Sequence, residues 1–388
     1  MKKVLIAHQS TIPHYRIPFY QALERLRPKW WCFYVVYDIN ERKKKIFFKE
    51  SVDYTCFNFN IEKTHTLNIT LKNKNISFQS FLLKALNYDL LIVENALNNL
   101  SYPLSHLYKL LGKSIIYWGH GRDLSVNTPI GIKNITEKIK MWLTFRSDGF
   151  IAYTKTVRNY LINKGVNKNK IFTLYNTIDI KKQRLLHNKL TQFRNNLRKK
   201  HGFIDKKVLL CIGRLNERKR LDFLIDAFYI LKNKDPNYKL LIVGEANASS
   251  IDLLRAKGGK DAIDYYGIIV DDNKLAPLFA LSDLYIFPGD VGLGPLHALC
   301  FDLTPVIINS KTHGPEFDYL NEKNSLILPK GTNAKEYAKA IDNILKNKKK
   351  LFFLRTQAWP SIKHLTIENM ANNFIHAVNC VLSTKEIH

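Results

Sequence analysis

Acidic residues are scarce in this 388-residue chain: 33 Asp+Glu stand against 60 Lys+Arg, a formal net charge of +27. Such a balance attracts polyanions, whether nucleic acid, anionic membrane or phosphorylated substrates. The excess is not a tail, because residues 1–180 already hold 27 basic and 12 acidic side chains. A histone-like arm is thereby excluded. A background rich in Lys, Asn and Ile is also what a low-GC genome produces without any partner, so charge alone does not choose.

Cysteine is also sparse. Cys32, Cys56, Cys211, Cys300 and Cys380 are odd in number, scattered and form no C-x-x-C pair. That pattern argues against a zinc site or a disulfide framework and fits a reducing compartment. No run approaches the about 18 apolar residues of a membrane span. The apolar start Val4–Ala7 stops at His8, too short for a signal peptide. The expectation is a cytoplasmic protein, peripheral on the inner face of the plasma membrane if it meets a membrane at all.

What is present is a regular alternation. Buried-strand patterns fall at 4–7, 31–37, 90–94, 114–118, 149–153 and 171–175, and again at 207–212, 239–243, 264–266, 284–287 and 305–308. Apolar strands separated by helix-length segments indicate parallel sheets covered on both faces. Two such series predict an α/β protein of two doubly wound, Rossmann-like domains. The segment Lys181–Lys200 has eight basic residues and no acid, with Leu185, Leu186, Leu190, Phe193 and Leu197 at helical spacing. It reads as one linker helix packing an apolar stripe, or as a helix for an anionic surface. A last helix is expected from Ile362 to about Leu382, after Pro360.

Ligands of open parallel sheets sit at the carboxyl ends of the strands, so the informative residues should follow strands. After the strand 207–212 come Gly213, Arg214 and Lys219. Glycine permits a sharp turn, and an Arg fork with a mobile Lys suits a diphosphate. After the strand 284–287, Asp290, Gly292, Leu293 and Gly294 lead through Pro295 into a helix start. Free amides and the helix dipole there would favour an anion. Two phosphate-compatible loops in one domain point to a nucleotide diphosphate.

The stretches IGRLNERKRLDFLIDAF, KLLIVGE, YYGIIVDDNKLAPLFALSDLYIFPG and TPVIINSKTHGPEFDYLNEKNSLIL resemble the group 1 retaining glycosyltransferases of the GT-B fold. IPHYRIPFYQAL, YWGHGRDL and DGFIAYTKTVRNYLINKGVNKNKIFTLYNTIDI agree more loosely. The resemblance implies an acceptor-binding domain over 1–185, a nucleotide-sugar domain over 186–360 and a C-terminal helix, 361–388, packing back on the first, with the site in a cleft between domains. It implies Arg214 and Lys219 on the donor diphosphate and His120 near the donor sugar. It places Asn176 and Asp179 in an Asn-Gly-x-Asp turn where Thr177 replaces the glycine. The backbone of Ile269 and Val270 would meet the nucleobase, and Glu316 is a loop acid facing the cleft.

One departure stands out. The family's two glutamates around Gly-Phe-Gly are missing: Val291 occupies the first position with Asp290 beside it, and His297 is the nearest polar residue on the helix. Asp290 and His297 are the expected substitutes, as in a branch with Pro-Gly-x-Val-Gly-Leu. His14-Tyr15-Arg16 would face the acceptor, and the Gly-rich first loop of many relatives is lacking.

The implied function is transfer of a sugar from a nucleotide-sugar donor to a glycan or lipid-linked glycan hydroxyl, with retention. Two cations and a helix N-terminus would replace a metal, so neither metal nor cofactor is expected. An anionic membrane surface, met through Ile132–Arg146 or Lys181–Lys200, is a further expected partner. A sugar-nucleotide epimerase would share the architecture and diphosphate site but need no acceptor. A basic nucleic-acid-binding protein is the alternative outside enzymes. The chain lacks a recognisable nucleic-acid motif, and nucleic acid is not an expected partner.

Overall fold

The computed structural model describes residues 1–8, 12–38, 57–71, 74–123, 131–246 and 262–384. The chain divides into two units, residues 1–176 with 367–388, and residues 177–366. Each is described by itself.

The first unit is built on a parallel sheet of order β3-β2-β1-β6-β7-β8-β9. These strands are β1 (Lys2–Ala7), β2 (Trp31–Tyr37), β3 (Asn60–Lys63), β6 (Leu90–Glu94), β7 (Ser114–Gly119), β8 (Gly149–Ala152) and β9 (Ile171–Thr173). A separate antiparallel hairpin joins β4 (Thr66–Leu71) to β5 (Lys74–Gln79). Alternate side chains feed opposite cores, as the period-2 pleat requires. Val4, Ile6, Ile92 and Trp118 meet α1 (Ile17–Leu26) and the C-terminal helix Ile367–Thr384. Leu5, Val93, Ile115 and Tyr117 meet the other layer, which includes α2 (Ile132–Arg146), α3 (Lys155–Asn163) and the 3-10 segment Ser80–Asn87.

The second unit has a parallel sheet of order β12-β11-β10-β13-β14-β15. Its strands are β10 (Lys207–Ile212), β11 (Tyr238–Val243), β12 (Ile263–Tyr265), β13 (Leu284–Phe287), β14 (Pro305–Ile308) and β15 (Leu326–Leu328). Its helices are α4 (Ile180–Thr191), α5 (Arg194–Lys200), α6 (Leu221–Lys234), α7 (Asp272–Leu281), α8 (Gly294–Cys300), α9 (Ala334–Lys346) and α10 (Lys348–Ile362), and the C-terminal helix of the first unit is α11. A reciprocal capping box, Asn333 with Glu336, starts α9, and Tyr337 of that helix donates to the Val306 carbonyl at 2.7 Å.

Several expectations are corrected. The segment 181–200 is two helices broken at Gln192 and Phe193, not one. Its apolar stripe packs only in part: Leu186, Leu190 and Leu197 are half-buried, whereas Leu185 is 69% and Phe193 52% exposed. Ile180, Gln183 and Arg198 are buried instead, with arginines bonding backbone carbonyls of the unit. The unit boundary lies at 176/177 rather than 185/186, because α4 packs on α7 and α8. Pro360 lies inside α10, so the C-terminal helix begins at Ile367 rather than Ile362. The strands β3 and β15 and the β4–β5 hairpin went unpredicted; they are short or polar and carry no buried apolar run. Cys32, Cys211, Cys300 and Cys380 are free thiols, and Cys56 lies outside the described residues.

The return of α11 to the first unit rests on aromatic packing. Phe374 is fully buried, edge-on to Phe19 and Trp118 with both centroid distances 5.4 Å. Trp31 Nε1 donates to Asn379 Oδ1 at 2.9 Å. Phe374→Ala should destabilise this unit by about 3–5 kcal/mol, the usual cost of emptying a buried aromatic site. Urea unfolding followed by tryptophan fluorescence reads it, and a midpoint equal to wild type would contradict the assignment.

Candidate functional site

The second sheet reverses its strand order between β10 and β13. Connections on the two sides of such a point diverge to opposite faces and leave a crevice beyond the carboxyl ends. Two segments emerge there, 213–220 after β10 and 288–293 after β13.

They are locked together around Asp290. Its N–H donates to the Arg218 carbonyl at 3.1 Å. Arg218 Nε and Nη2 reach Asp290 Oδ2 at 3.0 and 2.8 Å, and Thr312 Oγ1 donates to Oδ1 at 2.6 Å. The Asp290 carbonyl accepts from Lys219 Nζ. Gly289 makes this approach possible, because a Cβ there would stand 2.5 Å from the Arg218 carbonyl oxygen and the Lys219 backbone. Burial works to raise the Asp290 pKa, but the Thr312 and Arg218 hydrogen bonds hold it below the usual carboxylate value. The carboxylate expected to be catalytic is therefore engaged in fixing these two segments.

Lys219 is half-buried, and burial lowers its pKa to about 8, with Asp290 opposing and Arg218 and Arg214 adding to the fall. Arg214 is exposed and makes no hydrogen bond or ion pair among the described residues. The two cations of the motif thus differ: Lys219 is bonded to the Asp290 carbonyl and half-buried, Arg214 is exposed. Arg220, in the left-handed conformation at φ 55°, separates Lys219 from the first turn of α6.

The remaining second-unit candidates are tied to the same place. The N–H groups of Gly292 and Leu293 have no acceptor among the described residues. Gly294 opens α8, where a Cβ would collide with the Tyr285 hydroxyl that bonds the Ile212 carbonyl at 3.1 Å. His297 stacks parallel to Phe279 at 6.0 Å. Glu316 is buried in the turn Pro315–Tyr319, which is anchored by Gly314 N–H to the Val291 carbonyl at 2.8 Å. Ile269 and Val270, half-buried, lie in the connection from β12 to α7. That connection is held by Gly244 N–H to the Gly267 carbonyl at 2.7 Å. Gly244 in turn has φ 140° and no room for a Cβ beside the Gly213 carbonyl.

His120 belongs to the first unit and follows β7. Burial, with a smaller contribution from Lys140, lowers its pKa to about 4, so the ring is neutral at pH 7. Its ring lies 4.6 Å from that of Tyr153, whose hydroxyl meets His8 Nε2 at 2.7 Å. His8 in turn packs on Trp118 at 4.0 Å, and burial, Arg16 and His120 keep it neutral. Arg16 is buried, stacked over Trp118 and donating to Asn176 Oδ1 at 2.7 Å. Asp179 caps α4 by accepting from Lys182 N–H at 3.0 Å. Sequence reasoning passed over His8, Tyr153, Arg218 and Thr312. For His8 the missed signal was its place directly after β1, and for Arg218 its place inside the basic run.

Residues 193–358, which lie within the second unit, match the family model described as glycosyl transferases group 1. Over 216 residues the chain is 26% identical to an uncharacterized 41.2 kDa protein in the cps region of Klebsiella pneumoniae, covering 54% of this chain and 56% of that protein. Over 208 residues it is 23% identical to an uncharacterized glycosyltransferase of Methanocaldococcus jannaschii, covering 52% and 50%. The chain thus spans about half the length of the curated relatives it matches. The crystal structure of Anabaena Alr3699/HepE in complex with UDP is similar over 98% of this chain and 100% of that one, with a TM-score of 0.70 and 15% identity. That likeness shows the GT-B fold.

The Asp290 lock has an electrostatic consequence. Lys219 should titrate near pH 8 rather than the ordinary 10.5. Asp290→Asn removes the charge that opposes the fall, so the pKa should drop further. NMR titration of the lysine side chains reads both values. An unperturbed Lys219, or one whose pKa rises in Asp290→Asn, would refute the geometry.

Proposed function

We propose that the chain is a nucleotide-sugar-dependent glycosyltransferase. It moves a hexosyl or related sugar from a nucleotide diphosphate to a hydroxyl of a glycan or lipid-linked glycan, in the making of cell-surface polysaccharide or lipopolysaccharide. The observation that carries this reading is the pairing of Arg214 and Lys219 with the unengaged amides of Gly292 and Leu293 at the switch point of the second sheet. The group 1 domain, the relative in a cps region and the similar structure bound to UDP support it.

As the bond between sugar and diphosphate breaks, charge gathers on the leaving oxygen. Arg214, Lys219 and the two amides offset that charge where it develops, the arrangement that lowers a barrier most. Lys219, held below its ordinary pKa by burial, regains full charge beside a diphosphate. The acceptor hydroxyl forms its bond to the anomeric carbon on the face the phosphate leaves, and its proton passes to the departing phosphate. Configuration is retained. Asp290 acts as a positioning residue for the cationic loop. Side-chain and backbone charge suffices for the leaving group, so the reaction proceeds without a metal.

Replacing Arg214 or Lys219 by Ala should lower turnover about 100-fold, the scale of losing one donor to a developing anion. Release of nucleotide from a panel of sugar nucleotides with glycan acceptor measures it. Near-normal turnover of the folded variants would sink the assignment, while conversion of donor without acceptor would identify an epimerase.

The acceptor class extends to the membrane through α2. Ile135, Ile139, Trp142 and Phe145, at helical spacing, are exposed along this helix, and Arg146 stacks on Trp142 at 4.1 Å. Among the described residues no helix is long and apolar enough to cross a membrane. An apolar stripe edged by cations suits the surface of an anionic bilayer. The double variant Trp142→Ser, Phe145→Ser should lose co-sedimentation with vesicles containing phosphatidylglycerol. Binding that ignores anionic lipid content, or survives the double variant, would count against it.

A further inference from the structure

The amino-terminal edge of the second sheet carries a cavity of about 610 Å³ lined by Arg194, Arg198, Lys206, Lys207, Lys348 and Arg355. Its position excludes the donor site. Lys207 opens β10 and Asp283 immediately precedes β13, whereas the candidate donor loops leave the opposite ends of these same strands. The six residues of β10 alone separate the two ends by about 20 Å.

Only one carboxylate, Asp283, lines this cavity. Two arginines share it, Arg194 Nη2 lying 2.8 Å from Oδ1 and Arg198 Nη1 3.3 Å from Oδ2, while Arg355 Nη2 donates to the Asp283 backbone carbonyl at 2.8 Å. Val208 N–H takes Oδ2 as well, at 2.9 Å. Lys207 pairs with Asp235 at 2.8 Å. Lys206 reaches nothing nearer than Asn237 Oδ1 at 3.5 Å, and Lys348 has no partner among the described residues. Arg355 Nε is buried with no acceptor. The cavity therefore holds more cations than its acid can neutralise, within a concave wall that focuses their field.

Two features separate this place from the general lysine excess. Arginines are few, 15 of the 60 basic residues, yet three converge here. Arg194 and Arg198 are also held rigid by the carbonyls of Ala280, Leu281 and Ser282 at the end of α7. Fixed guanidinium groups lose little freedom on meeting an oxyanion. The cavity lining is not only charged, since Ile204 and Phe352 also line it and are 56% and 70% exposed.

We propose that this cavity is a second anion site, distinct from the donor loops, for a phosphate group carried on an apolar or aromatic body. The phosphate sits among Lys206, Lys348 and Arg355, and the body lies against Ile204 and Phe352. A soluble organic phosphate and a lipid phosphate headgroup share this chemistry.

The test uses the full chain and calorimetry with phenyl phosphate. The donor loop is first disabled by Arg214→Ala with Lys219→Ala, which should leave saturable binding in place. Adding Lys206→Gln and Lys348→Gln, side chains that make no strong bond in the fold, should weaken it about tenfold or more, as loss of two charged contacts predicts. Inorganic phosphate should bind more weakly than phenyl phosphate. Co-sedimentation with phosphatidic acid vesicles that depends on Lys206 and Lys348 would assign the lipid source, and its independence of them the soluble one. Binding abolished by the donor-loop variant alone, never saturable, or indifferent to Lys206→Gln with Lys348→Gln, would overturn the proposal. With Arg214 and Lys219 intact, Lys206→Gln with Lys348→Gln should leave basal transfer unchanged, so the site stands or falls apart from the donor assignment.

Discussion

The lock between Asp290 and the segment Arg218–Lys219 is the constraint on which the second unit's chemistry depends. One residue uses its N–H, its carbonyl and its carboxylate to hold three groups of a loop from another strand. Without it the basic loop would be a solvated run of like charges that repel one another. Within the closed loops burial lowers the Lys219 pKa to about 8, while the Asp290 charge opposes the fall and keeps the ammonium predominant at neutral pH. A cation desolvated in this way gains more from an anion than one free in solvent, because part of its hydration has already been lost. Gly289 matters for the same reason: any side chain there would part the two loops.

The fold was readable in the sequence where burial is two-sided. Strands such as Leu90–Glu94 and Lys207–Ile212 are continuous apolar runs because helices cover both faces, and the pattern matches their bounds. It failed where packing is polar. Residues 181–200 look amphipathic by their leucines, yet Arg194 and Arg198 anchor the segment by capping the carbonyl end of α7. Two guanidinium groups satisfying three carbonyls between them are a tertiary fact with no periodicity. The edge strand Asn60–Lys63 was equally silent, since its side chains are only partly buried.

The candidate site was readable in the same uneven way. Gly213, Arg214 and Lys219 are contiguous enough for a motif, and the structure ties Gly292–Gly294, the Glu316 turn and the 269–270 connection to the same switch point through short backbone bonds. Arg218 and Thr312 were missed because their role is defined by Asp290, 72 and 22 residues away along the chain. In the first unit His120 was reached through the resemblance, whereas His8 and Tyr153 follow two other strands, and no local spacing joins them to it.

Net charge alone is a poor guide to partners in this protein, and the distribution of arginine is a better one. Lysines outnumber arginines three to one, and many stand singly in water. The arginines are placed. Arg218 is held by Asp290 and Thr312, Arg16 is buried over Trp118, and Arg194, Arg198 and Arg355 gather on Asp283. A planar fork is worth burying only where several oxygens or a ring face meet it, whereas an ammonium is cheaper to leave hydrated. Arg214 is an informative contrast. It sits exposed and unbonded beside Lys219 at the switch point, where the fold supplies it with no oxygen. A strand-end arginine in that state, beside the unengaged amides of Gly292 and Leu293, is the feature on which the proposed donor site rests.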